Sequence, residues 1–199
     1  MNALGGYNQI YEHLRERLKA VNLEEAATRL GLSFNKQDGV IIGFLGGKYI
    51  IDNNGVRPLD GKPRNINIYN VLAFYILSEG AGEPAHEFEP LRASAYGYSN
   101  LSWMIKPLAK LYDGKYDKFE NAALSLGGEY QGRSGDGGYA WVFPILPKIP
   151  LKAVYYERDE EFQFELKIFV DRHARRFLEF ECLAFMCGCF VSALEKAVD

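Results

Sequence analysis

Apolar residues recur every four positions through Tyr7–Ala20, at Ile10, Leu14 and Leu18 with Tyr7 and Tyr11 beside them. That period predicts an amphipathic helix. Asn22 then reads as an N-cap, with Glu25 at the capping-box position, and Gly31 as the glycine that ends a short helix over Leu23–Leu30. The pattern next changes to β-branched and aromatic runs, Val40–Leu45 and Tyr49–Asp52, with Gly46-Gly47 between them as a tight hairpin turn. The stretch from Asp52 to Asn65 is rich in turn residues, and a helix resumes over Ile66–Leu77. Glu79 to Pro90 reads as a loop with a short strand around Phe88.

Two further helices, Leu101–Leu111 and Lys115–Leu126, are predicted on either side of Asp113-Gly114, the first carrying Pro107. Gly127 to Gly138 reads as a glycine-rich polar loop. Tyr139–Phe143, Leu151–Tyr156 and Phe162–Val170 follow as strands, and Phe177–Ala197 as a final helix apolar on most sides. Such a helix belongs against a sheet. Segregated helices and strands, rather than a regular alternation, predict an α+β fold: N-terminal helices with a β-hairpin, central helices, then antiparallel strands packed on a buried last helix. The 199 residues suit one domain, with residues 1–82 and 83–199 as its candidate lobes.

Composition narrows the function classes. The net charge of −3 comes without a basic stripe, since acidic residues flank Arg172, Arg175 and Arg176, so nucleic acid is not an expected partner. The longest apolar stretch, Cys182 to Leu194, is too short to span a bilayer, and the N-terminus lacks the features of a signal peptide. Three cysteines, Cys182, Cys187 and Cys189, are odd in number and spread around one helix. They suit neither a disulfide framework nor tetrahedral zinc, and fit reduced thiols in the cytoplasm.

The last third holds the distinctive residues: Gly127-Gly128, Gly135-Asp136-Gly137-Gly138-Tyr139, Pro147-Lys148-Ile149-Pro150-Leu151, Tyr156 to Phe162, Phe169-Val170-Asp171, and Phe177 to Glu181. In this order they resemble the bacterial and archaeal domain-of-unknown-function family numbered 3786, over Gly127–Leu194. The resemblance implies no activity. Some relatives carry an added cysteine-rich iron–sulfur segment, which this chain lacks, so it brings no cluster chemistry.

Four carboxylates are the candidate catalytic residues. Asp159, Glu161 and Asp171 are of the type that binds hard divalent cations through oxygen. Glu181, spaced one turn from Phe177 and from Phe185, reads as a carboxylate on an apolar helix face that Arg172, Arg175 or Arg176 would pair. Gly135 and Asp136, in the loop that could bring backbone N–H groups to an anion, and Tyr96, Tyr98 and Trp103, as aromatic pocket or partner surface, are the candidate ligand-binding residues. His86 and His173 could act as bases. Missing are a P-loop ending, a Gly-x-Ser-x-Gly elbow and a His-Glu-x-x-His pair. The sequence therefore points to a non-catalytic domain that binds a small molecule or a protein partner, with a homodimer as one form of the latter. The competing reading is a divalent-cation-dependent hydrolase or transferase, with Asp159, Glu161 and Asp171 on the cation and Gly135–Gly138 on an anionic substrate.

Overall fold

In a computed structural model, which describes residues 3–91 and 102–197, two antiparallel sheets share their core with six helices. The chain opens with α1 (Ala3–Leu18) and α2 (Leu23–Leu30). Asn22 caps α2 by accepting a hydrogen bond from the Glu25 N–H, and Gly31 closes it in the left-handed conformation at φ 69°. A four-stranded meander follows: β1 (Ser33–Asn35), β2 (Gly39–Phe44), β3 (Gly47–Asp52) and β4 (Gly55–Pro58). Phe44 pairs with Gly47, so the two-residue turn is Leu45-Gly46, one position earlier than the glycine pair suggests. Both turn residues have positive φ, 51° and 75°, which matches the twist of the hairpin.

Helix α3 (Ile66–Leu77) crosses to the second half, where β5 (Phe88–Pro90), α4 (Ser102–Tyr112) and α5 (Tyr116–Ser125) lead into β6 (Glu129–Arg133), β7 (Tyr139–Leu146), β8 (Ile149–Tyr156) and β9 (Glu165–Asp171). A single 3-10 turn, Ala174–Arg176, precedes α6 (Phe180–Lys196). The second sheet runs in the order β5-β9-β8-β7-β6. Edge strand β6 is broken by a bulge between Tyr130 and Arg133, where Gly132 turns at φ 88°.

Register puts Trp141 opposite Ala153 and Phe143 opposite Leu151, and β9 adds Ile168 and Val170 to the same face. These side chains are buried, and Phe190 of α6 meets Phe143 edge-to-face at 4.7 Å. One continuous cluster of buried apolar residues runs from Leu14 of α1 to Leu194 of α6, with side chains from both sheets. The α+β fold with its buried last helix is as the sequence predicts. No helix among the described residues is long and apolar enough to cross a membrane.

Two strands lie where loops are expected, and two predicted element starts shift. Strand β6 lies within the expected Gly127–Gly138 loop, and β4 within the turn-rich Asp52–Asn65 stretch. The last strand starts at Glu165 rather than Phe162, and the last helix at Phe180 rather than Phe177. Helix α4 runs through Pro107.

Candidate functional site

Three connections meet at one end of the second sheet: the β6–β7 hairpin, the β8–β9 connection and the α4–α5 turn. The hairpin closes through Ser134 and Gly138, whose backbones bond at 2.8 Å. Its carboxylate, Asp136, accepts hydrogen bonds from the Ser134 hydroxyl at 2.5 Å and the Tyr156 hydroxyl at 2.7 Å. Those two donors hold the Asp136 carboxyl below its ordinary range. Burial, with the Asp136 bond added, pushes the Tyr156 phenol up to about 12. Gly138 is required by close approach: a Cβ there would lie 2.5 Å from Val154 Cγ1 and 2.8 Å from the Tyr156 ring.

Beside the turn stands an aromatic column. The Arg133 guanidinium lies 4.0 Å from the ring centre of Tyr139, and Tyr116 stacks on the same ring at 3.9 Å. Arg133 donates to the Gly137 carbonyl and to the Tyr139 hydroxyl, and that hydroxyl donates to Glu157 at 3.1 Å. Inward, Tyr116 meets Tyr155, Tyr155 meets Phe119, and Phe119 meets Trp141. Outward, Tyr130 packs on Trp141 at 5.4 Å and remains 47% exposed. The Tyr155 hydroxyl donates to the Tyr112 carbonyl, and the Tyr112 hydroxyl to the Leu194 carbonyl, so hydrogen bonds tie this end of the sheet to α6.

The β8–β9 connection carries the acidic run. Asp159 Oδ1 accepts from the backbone N–H groups of Glu161 at 2.8 Å and Phe162 at 2.7 Å, and the Asp159 N–H returns a bond to the Phe162 carbonyl. This carboxylate therefore builds the turn it sits in. Arg158 bridges to Asp113 in the α4–α5 turn at 3.0 Å. Phe164 packs on Tyr155, but Phe162 points away and is 68% exposed, more than any other large apolar side chain described.

The structure thus gathers Gly135, Asp136, Asp159 and Glu161 at one end and leaves Asp171 at the other. From Glu165 to Asp171 strand β9 spans roughly 20 Å at about 3.3 Å per residue. Asp171 is 1% exposed and is an anchor: Oδ1 accepts from the N–H groups of Ala85 and His173, and Oδ2 from that of His86. It clasps the loop ahead of β5 to the end of β9. His86 is held there at φ 54°, and His173 Nδ1 lies 3.0 Å from the Glu83 carbonyl. Glu181 is not the buried acid that its spacing suggests; it is exposed in the first turn of α6. Among the described residues no group of three His, Cys, Asp or Glu is arranged to hold a metal ion. Tyr96 and Tyr98 lie outside the described residues, as does the side chain of Trp103. All three cysteines are buried thiols; burial raises Cys182 and pushes Cys187 and Cys189 up to about 12, which makes them inert at neutral pH.

Sequence reasoning missed Arg133, Tyr116, Tyr130 and the display of Phe162. The pairing of Arg133 with Tyr139 follows from the hairpin register, which needs β6 to be recognised first. A separate hollow of about 300 Å³, lined by Asn22, Lys36, Asp38 and Asp52 among others, lies between α2 and the first sheet. Its Asn22 and Asp52 side chains already bond to local backbone, at the Glu25 and Asn54 N–H groups.

A family model described as "Domain of unknown function (DUF3786)" matches residues 22–193. No curated protein and no solved structure matches the chain.

Proposed function

The chain belongs to the DUF3786 family, whose description assigns no activity, and from its geometry we propose that it is a non-catalytic domain that binds a protein partner. The binding end is the one formed by the β6–β7 hairpin and the β8–β9 connection. The observation that carries this reading is Phe162, an exposed aromatic ring on a turn that Asp159 locks. Leaving a phenylalanine in water forgoes roughly 1.5–3 kcal/mol of burial. A turn rigid enough to keep it there presents the ring at little further entropic cost on binding. Tyr130 and the Arg133–Tyr139 stack, of the residue types that anchor protein interfaces, lie on strands of the same sheet. Exposed aromatic rings on a turn and an edge strand suit a macromolecular surface better than an enclosed small-molecule site. A cytoplasmic setting belongs to the same proposal, supported by three unpaired thiols. The hydrolase reading has less support, because one cation would have to reach Asp159, Glu161 and Asp171 from opposite ends of β9.

Photo-crosslinking in the source cells tests this. A benzoylphenylalanine in place of Phe162 should give a discrete adduct, and one in place of Ile41, exposed on the first sheet, should not. Equal labelling from both positions, or none from position 162, would refute the reading.

A further inference from the structure

The chemistry around Phe162 narrows the kind of partner. Its chain neighbours Asp159, Glu160 and Glu161 are exposed, as is Glu157. Three cations near this end are engaged elsewhere. Arg158 pairs with Asp113 at 3.0 Å, Lys167 pairs with Glu165 at 3.3 Å and lies over Tyr156, and Arg133 lies over Tyr139. Among the described residues no ion pair holds Asp159, Glu160 or Glu161. An open ring face among unpaired carboxylates attracts a cation twice, through the ring's negative quadrupole and through charge. A planar guanidinium fits best, because it can stack on the ring and fork two N–H groups to one carboxylate. The chain itself contains the stacking half of this arrangement nearby, where Arg133 lies over Tyr139, although there the carboxylate of Glu157 takes the ring's hydroxyl rather than the guanidinium. The same carboxylates repel nucleic acid and anionic lipid.

We infer that the partner presents an arginine on an extended segment, laid over Phe162 and paired with Glu160 or Glu161. This rests on the partner-binding reading above and adds the chemistry of the occupant.

Titration of the isotope-labelled full chain, followed by amide chemical shifts, tests it with three capped octapeptides alternating glycine with arginine, lysine or glutamate. The arginine peptide should move the amides of residues 157–164, bind several-fold more tightly than the lysine peptide, and weaken as salt is raised. The glutamate peptide should move none of them. F162A and E160Q/E161Q should each weaken arginine-peptide binding by about fivefold or more. Both replace exposed side chains, so their melting temperatures report that the fold is kept. Binding of the glutamate peptide equal to that of the arginine peptide, shifts confined to another surface, or unchanged affinity in F162A would overturn the inference. A crosslink from position 162 in cells with a silent arginine peptide would overturn this inference alone; failure of both would overturn the partner-binding reading with it.

Discussion

Replacing Asp171 by asparagine separates an anchor from a catalytic acid. In the native chain two carboxylate oxygens take three backbone N–H groups, those of Ala85, His86 and His173, at 2.7–3.0 Å. Asparagine has nearly the same shape but offers one acceptor, and its amide can only donate. In the better of its two orientations it keeps the Ala85 and His173 bonds and turns an NH₂ toward the His86 N–H. A buried donor left unsatisfied costs about 1–3 kcal/mol, and the bonds that remain lose their charge assistance. The total is about 2–3 kcal/mol, which for a chain of this length lowers the melting temperature by about 5–10 °C. His86, held at a positive φ that side chains other than glycine rarely adopt, also loses the bond that keeps it there. Thermal denaturation by circular dichroism measures the loss, and amide hydrogen exchange at residues 85, 86 and 173 locates it. A variant that melts within about 1 °C of the parent, or one that is destabilised while those amides stay protected, would refute the anchor.

Cys182, Cys187 and Cys189 should resist iodoacetamide at pH 8 in the folded chain and react in urea; mass spectrometry that finds native labelling would contradict their burial. Tyr112, Tyr155 and Tyr156 have phenols pushed up to about 12, in each case chiefly by burial. The folded state thus holds protons that the unfolded state releases near pH 10, so their contribution is complete below pH 10 and lost as pH rises toward 12. Ultraviolet titration of phenolate should show these three ionising only as the chain unfolds. Gly138→Ala forces a methyl against Val154 and Tyr156 and should cost about 1–3 kcal/mol, whereas Gly135→Ala meets nothing within 4 Å and should stay within about 0.5 kcal/mol on urea denaturation. Magnesium and manganese should leave the melting temperature unchanged, because Asp159, Glu161 and Asp171 do not converge; a metal-dependent rise lost in D159N would restore the hydrolase reading.

What could be read in the sequence was local. Asn22 and Gly31 bracket α2 because capping uses neighbours three or four residues away. The buried run of α6 was legible because its apolar density leaves no polar face. Strands β1, β4 and β6, three to five residues long and partly polar, were not, because they form only when a partner strand supplies the pairing. Glu181 is misplaced by phase: Phe177 precedes α6, and Phe185, one turn on within the helix, is itself only partly buried, so this stripe runs along the margin of the buried face. Asp171 is the plainest case of a role the sequence cannot carry. Two of its donors, at Ala85 and His86, lie some 85 residues upstream. Asp159 could have been read as a turn-builder, since an aspartate bonding two and three residues ahead is a local motif.

The bulge at Gly132 bears on how this protein behaves at high concentration. Among the described residues, strand β6 ends its sheet with an outer row of amides and carbonyls that no further strand takes, the kind of margin on which fibrils seed. The kink interrupts that row halfway, so a straight incoming strand can match only a fraction of it. Two properties therefore meet on one short strand: its backbone discourages templated growth, while the side chains of Tyr130 and Arg133 stay at the surface.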